Sequence, residues 1–517
     1  MSKFQLHHRF LLITVFISGM VSLGIEMAAS RLLGNVFGTS NLVWASIIGL
    51  ILIYLTVGYW LGGKIADRHP EPLTFYLILF WASLSIAIVP LISNPVLRLA
   101  ASAFDHLRLG VLLGSFISVM ILLVFPMVLL GMISPFAIRL SIEEKGSSGR
   151  VAGSIYAIST IGSFIGTFLA TLLFIPLIGT YRTFMAFACI LALTAPLGIW
   201  MHSAFRKSLV YLFLLTVLIT LLILGKGISI KETPGQLFES ESEYNYIEVV
   251  EEQGYFLLRL NEGQGVHSIY KPGVENYYGP WEQFSVAPFF NPGPVHLDSV
   301  KSMAIVGLAA GTAARAATTI YGTIQIDGFE IDPVIIDIGK TYFGMTEPNL
   351  NPIAADGRWG LDHSGKTYNI IAVDAYRPPY IPWHLTTREF FEIASSRLVD
   401  DGVLAINVGR APDDRRLVED LCATLRSVFP SVYVMDIPDT FNTILFATKQ
   451  PTSINDLMAN YQLLATDTVT PNLLMETISI TVANMQTTPS VGRVYTDDLA
   501  PIEWVTNDMV VHYVLSE

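Results

Sequence analysis

The sequence predicts a multi-pass α-helical membrane domain followed by an α/β Rossmann-like (doubly wound) domain with a small N-terminal β-sheet module. Three observations predict it. Hydrophobic residues make up 52% of the 517 positions and charged residues only 14%, too apolar for a soluble globular chain of this length. Charge is divided unevenly. Residues 1–226 carry 14 Lys+Arg and 6 Asp+Glu, net +8, whereas residues 227–517 carry 17 and 37, net −20. From residue 301 onward, short apolar runs alternate with helical patterns and with small-residue or acidic turns, the signature of βα units.

The first 226 residues hold seven apolar segments, at about 10–35, 42–63, 72–95, 110–136, 152–177, 183–202 and 208–225, each long enough to cross about 30 Å of hydrocarbon. The first is too long for a cleaved signal peptide and lacks a small-residue cleavage site. Nine basic residues fall in loops on one side: Lys3, Arg9, Lys64, Arg68, Arg139, Lys145, Arg150, Arg206 and Lys207. Arg98, Arg108 and Arg182 fall on the other. This bias puts the N-terminus of a multi-pass cell-membrane protein in the cytoplasm. Seven crossings then leave residues 227–517 outside, and one fewer leaves them inside; both counts stay open. Glu26 and Arg31 lie within or near the end of the first segment, where charge marks either a pathway or a pair near the interface. Gly162 and Gly166, in GSFIG, form a small-xxx-small pattern that lets helices approach. The stretch GYWLGGKIADR, Gly58 to Arg68, reads as a glycine-assisted helix end; it also resembles a loop of major facilitator transporters.

Residues 227–300 read as a linker and the small β module. YIEVVE from Tyr246 and GYFLLRL from Gly254 alternate with a period of two before the turn NEGQG, Asn261 to Gly265. Residues 301–450 form the nucleoside-binding domain. Strands are predicted at 302–306, 324–329, 369–374, 402–408, 432–436 and 443–447, and helices at 311–319, 332–343, 386–398 and 413–428. Residues 451–517 are a C-terminal extension. The acidic second half argues against nucleic-acid binding. Cys189 and Cys422 lie far apart in different halves and give neither a disulfide framework nor a metal-ligand spacing, so no metal is expected.

Ligands of doubly wound sheets sit at the carboxyl ends of the strands, and four motifs fall there. VGLAAGTAAR, Val306 to Arg315, follows an apolar strand, with Gly307 and Gly311 in its turn. GFEIDP follows about twenty residues on, and its Glu330 can accept hydrogen bonds from both ribose hydroxyls. ADGR brings Asp356 and Gly357; YNIIAVDAYR ends on Asp374, Tyr376 and Arg377. A glycine turn alone is as well explained by tight packing, and Asp374 alone by a loop cap. Taken in order, the motifs describe a nucleoside site.

That order resembles the spermidine synthase (polyamine aminopropyltransferase) family, over about residues 240–450. The resemblance implies that Glu330 holds the ribose, that Asp356 and Gly357 contact adenine, and that Asp374 is the base that deprotonates an attacking amine. It implies decarboxylated AdoMet as co-substrate, and it adds Asn245 and Gln264 to the nucleoside contacts. Trp281 and Glu282 fall where the family has a His-Glu pair, which joins them to Tyr376 and Arg377 as the acceptor side. The family's amine-gripping acids are replaced, one by Ala310 and one by Arg377. A polyamine needs carboxylates to replace its water, so the acceptor is expected to be something other than a standard polyamine. His267 falls near the ligand approach or is an exposed loop histidine. The first half resembles the membrane segment of bacterial fused transporter/spermidine synthase proteins. Three functions follow: a membrane-bound aminopropyltransferase, a non-enzymatic nucleoside sensor coupled to the helices, and a transporter with a regulatory soluble domain. The expected partners are the bilayer, the nucleoside, an unknown acceptor and, as in family members, further copies of the chain. In the tail stretch TDDLAPIE, Asp497, Asp498 and Glu503 are candidates to pair with Arg358 or Arg377, or, less favoured, to form a cation site.

Overall fold

The computed structural model describes residues 3–37, 41–107, 110–142, 148–202, 205–224, 233–261, 265–376, 381–467 and 469–516. The chain divides into two compact units. One comprises Met1–Thr233 with Glu239–Tyr246, the other Pro234–Phe238 with Ile247–Glu517.

The first unit is built from helices α1 (Lys3–Phe37), α2 (Asn41–Arg68), α3 (Pro72–Leu107), α4 (Gly110–Gly131), α5 (Ile133–Ser141), α6 (Ser148–Phe168), α7 (Ile175–His202) and α8 (Phe205–Leu224). A π-helical turn, Leu169–Phe174, joins α6 to α7. Five runs are long and apolar enough to cross a membrane: His7–Asn35, Val43–Arg68, Pro72–Leu97, Phe116–Ser141 and Ser148–His202. The sequence reading has seven segments because it divides the last run and adds 208–225. The helical run from 148 to 202 is interrupted at Gly179, whose φ of 78° and ψ of 168° leave the helix. Prolines 90, 95, 126 and 196 all lie inside helices. In an apolar bundle neighbouring groups can satisfy the freed carbonyls.

Gly162 and Gly166 pack as their spacing predicts. A Cβ at Gly162 would fall 2.1 Å from the Phe16 carbonyl oxygen, and one at Gly166 1.9 Å from that of Met20. α6 therefore lies backbone to backbone on α1. Gly58 and Gly62 face Val128 and Met132 in the same way, at 2.3 and 2.6 Å. Arg31 Nη2 donates to the Ser242 carbonyl at 2.6 Å, and its Nε lies 3.9 Å from Glu241. Glu241 accepts from Asn35 Nδ2 at 2.8 Å and from both the backbone N–H and the hydroxyl of Thr180, each at 2.6 Å. It thus satisfies an N–H left free where the helix restarts after Gly179. Segment 239–246, expected in the linker and β module, belongs by these contacts with the helices.

The first sheet holds β1 (Gln236–Glu241), β2 (Tyr246–Glu252), β3 (Tyr255–Leu260) and β4 (Val266–Tyr270) in that order; the end of β1 from Glu239 and the first residue of β2 count with the first unit, the rest with the second. Then come α9 (Pro280–Gln283), β5 (Ser302–Val306), α10 (Thr312–Tyr321), β6 (Gln325–Glu330), α11 (Pro333–Tyr342), β7 (Leu350–Ala354), α12 (Gly357–His363), β8 (Tyr368–Val373), α13 (Arg388–Ser396), β9 (Leu398–Gly409), α14 (Arg416–Arg426), β10 (Ser431–Asp436), β11 (Asn442–Thr448), α15 (Ile454–Thr466), α16 (Asn472–Ala483), β12 (Met485–Gln486) and α17 (Ile502–Ser516). The second sheet has the order β12-β10-β11-β9-β8-β5-β6-β7. β5 through β9 pair in parallel, and β11 runs antiparallel to both β9 and β10. Alternate residues bury on opposite faces. Met303 and Ile305 join one apolar cluster with α10, α15 and α16, and Ala304 and Val306 join another with α12, α13, α14 and α17. Strand order reverses at β5, between β6 and β8, the switch point where such sheets take ligands.

Candidate nucleoside site

The site is assembled at the carboxyl ends of β5, β6 and β8 and in the turn after β7. After β5 the chain turns through Gly307, at φ 91°, and Gly311, at φ 87°. A Cβ on Gly307 would lie 2.7 Å from the backbone N and Cα of Ala375, so only glycine allows the β5 and β8 loops to meet. Asp374 N donates to the Val306 carbonyl at 2.8 Å and joins those two loops. Gly311 precedes α10; a Cβ there would fall 2.7 Å from Met345. Ala310 is fully buried, and its N–H donates to Ser268 Oγ at 2.9 Å.

Glu330 ends β6 and is buried. Its carboxyl accepts from Ala309 N at 2.9 Å and from Asp332 N at 3.1 Å. Burial outweighs these bonds and pushes it up to about 7. Each oxygen retains a lone pair for a further donor. Asp356 caps α12, with Oδ1 accepting from Trp359 N at 3.0 Å and Oδ2 lying 3.0 Å from His384 Nε2. The His384 contact holds it below the usual carboxylate range. Gly357 follows directly; a Cβ there would meet Val306 Cγ1 at 2.4 Å.

Asp374 follows β8 and is partly buried. Among the described side chains its one hydrogen-bond donor is Asn407 Nδ2, at 2.9 Å from Oδ1. Burial pushes the carboxyl up to about 7. Asn407 Oδ1 is buried and accepts no hydrogen bond. Tyr376 lies beside the Gly409 backbone, and burial raises its hydroxyl well above the ordinary value. The arrangement can hold a sugar-bearing ligand on Glu330 and present a proton-accepting carboxylate, near neutrality, to a neighbouring nucleophile.

The other expected residues are distributed as follows. Gln264 and Arg377 lie outside the described residues. Asn245 is buried in segment 239–246 of the helical unit, donating to Ser242 Oγ at 2.9 Å. Trp281 packs into the core cluster. Glu282 accepts from Tyr277 N at 3.0 Å and from Gly279 N at 3.2 Å, and burial pushes it up to about 7. Both side chains serve the fold of α9 in this structure. His267 on β4 has a buried Nε2 without a hydrogen-bond partner, and burial pushes the ring down to about 4; it is not an exposed loop histidine. Asn407 and His384 were missed by the sequence reading. Asn407 had a signal, because a polar residue inside the apolar run VLAINVG must find a partner if the strand is central.

A Spermine/spermidine synthase domain matches residues 294–458. A polyamine aminopropyltransferase of Vibrio vulnificus is 31% identical over 214 residues, covering 39% of this chain and 68% of that protein. The chain belongs to the polyamine aminopropyltransferase family. Members of this family are transferases. A "probable polyamine aminopropyl transferase" of Bifidobacterium longum is 30% identical over 283 residues, covering 52% of this chain and 61% of that protein. The chain therefore spans about three fifths to two thirds of these relatives. The crystal structure of spermidine synthase from Thermotoga maritima is 18% identical and covers 48% of this chain and 84% of that one, with a TM-score of 0.40.

Proposed function

We propose that the second unit is an aminopropyltransferase that uses decarboxylated AdoMet and an amine acceptor other than a standard polyamine. One observation carries this reading: Glu330 and Asp374, both held near neutrality by burial, flank the switch point with the Gly307 turn between them. In the proposed reaction the acceptor nitrogen attacks the aminopropyl carbon attached to sulfur. The C–N bond forms, the C–S bond breaks with its electron pair leaving on sulfur, and methylthioadenosine departs. Asp374 takes the proton from the new ammonium, with Asn407 fixing its orientation. Ala310 and Arg377, in place of two acids, support an acceptor that is neutral or anionic rather than polycationic.

The helical unit is proposed to cross the bilayer. Its exterior supports this: Phe125 and Leu177 are each 72% exposed, with Trp60, Trp81, Phe164 and Trp200 also outward. α1 is about 50 Å long at about 1.5 Å per residue, and Arg31 and Asn35, near its far end, hold Glu241 and Ser242. This supports reading residues 239–246 as leaving the helices on the side opposite the N-terminus, which is the outer side if the basic loops set the orientation. AdoMet-type nucleosides are made inside cells, so this geometry favours keeping a second reading, a catalytically inactive nucleoside sensor coupled to a transporter-like domain. Full-length protein in detergent, mixed with decarboxylated AdoMet and a panel of amines, separates the two. Release of methylthioadenosine that Asp374→Asn abolishes supports the transferase. Nucleoside binding without release for any amine supports the sensor.

A further inference from the structure

A polar assembly among the described residues of the second unit links the C-terminal extension to the Asp356 turn. Arg358, two residues after Asp356, lays both terminal nitrogens on Asp497, Nη1 to Oδ1 and Nη2 to Oδ2, each at 2.7 Å. The Thr387 hydroxyl, which also caps α13, donates to the same Asp497 Oδ1 at 2.7 Å. Arg358 Nη1 also donates to the backbone carbonyl of His384 at 3.2 Å. The His384 ring lies against Asp356 Oδ2. The chain of contacts is closed: Asp497 to Arg358 to His384 to Asp356.

The strap that presents Asp497 is itself fixed. Arg493 N donates to Asp420 Oδ1 at 2.7 Å, and the buried Tyr495 donates its hydroxyl to Asp420 Oδ2, also at 2.7 Å. Tyr495 N donates to Thr424 Oγ1 at 2.9 Å, and the Tyr495 carbonyl accepts from Arg388 N at 2.9 Å. Asp497 N donates to Glu389 Oε2 at 3.0 Å. Residues 493–497 are thus tied to both α13 and α14, beyond the 294–458 span of the matched domain. A lone exposed ion pair would do little. A two-pronged guanidinium–carboxylate contact that shares a hydroxyl donor fixes geometry as well as charge.

We propose that Asp497 is a positioning residue for the nucleoside base. Acting through Arg358 and His384, it sets the Asp356 carboxylate that accepts the exocyclic amine of adenine. The C-terminal extension thereby determines base specificity without touching the ligand. This rests on the nucleoside reading of the site. The test is the affinity of full-length protein in detergent for methylthioadenosine and for methylthioinosine, which lacks that amine. Wild type prefers the adenine compound. Asp497→Ala weakens methylthioadenosine binding by about tenfold, leaves methylthioinosine nearly unchanged and so erases the preference, while Asp497→Glu restores part of it. A merely structural role would lower the unfolding temperature and weaken both ligands alike. If the alanine variant does not fold, Thr387→Val removes one hydrogen bond to the same carboxylate and is read in the same way. Unchanged preference in the variants overturns the positioning role and leaves the site reading intact. Failure of wild type to bind either ligand overturns the site reading itself, and this proposal with it.

Discussion

Asp374 is the residue on which the proposed chemistry turns. Its carboxyl sits up at about 7 because burial disfavours its charge and a single amide, Asn407, supports it. A base must be ionised to act, so turnover should rise with pH through about 7 and fall below it; a rate profile that is flat from pH 5.5 to 8.5 contradicts the assignment. Replacing the base, Asp374→Asn, should lower the rate by about 10²–10⁴-fold and leave nucleoside affinity nearly unchanged. The same shift has a stability consequence. A carboxyl whose folded pKa is raised contributes stability that is present below its unfolded pKa, near 4, and is lost as pH rises through about 7. Asp374→Asn removes that loss and keeps an oxygen for Asn407. The variant should therefore unfold at a higher temperature than wild type at pH 8 and at nearly the same temperature at pH 4.5.

At the scale of elements, legibility followed the length and regularity of the pattern. β5, β6, β8, β10 and β11 were readable because each is an apolar run ended by a turn. β7 was not, because it is an edge strand whose sequence, LNPIA, carries Asn351 and Pro352. α12 is only seven residues long, so its period had no room to appear. The motif turns after β5, β6, β7 and β8 could be placed in the sequence, and Arg358 with Asp497 is one of the pairings expected of the acidic tail. Its continuation to His384 and Asp356 could not be read, because nothing local in the segment around His384 marks it as the link. Close helix packing at Gly162 and Gly166 was legible from their spacing, whereas the partner, α1, was not. Gly166→Leu should force those helices apart and destabilise the helical unit by about 1–3 kcal/mol or more. Gly153→Leu, where no atom lies within 4 Å, should be tolerated. Thermal unfolding of both variants in detergent checks the difference.

For the whole molecule, the charge split between residues 1–226 and 227–517 points to two regions adapted to different surroundings; the contacts divide the chain into two units near the same boundary, with residues 239–246 on the helical side. The division of the apolar first half into separate runs was harder to read. Prolines and Gly179 inside apolar helices look like ends in sequence, and helix ends such as Leu107 extend past the apolar stretch. The proposal that the C-terminal half faces outward rests on Glu241 and Ser242 being held by Asn35 and Arg31. An enzymatic reporter fused after residue 517, active only outside the cytoplasm, should be active; a silent reporter at normal expression contradicts an outward-facing C-terminus.

The central claim is that the second unit retains a nucleoside half-site built on Glu330. Calorimetric titration of the detergent-purified full chain with AdoMet, decarboxylated AdoMet and methylthioadenosine tests it most directly, with Glu330→Gln as the control. Hydrogen bonds to an ionised acceptor are worth about 1.5–3 kcal/mol each, so the control should bind at least about tenfold more weakly. Binding by wild type that falls by this factor in Glu330→Gln is the predicted result. No binding of any of the three compounds, or equal binding by wild type and Glu330→Gln, contradicts the claim.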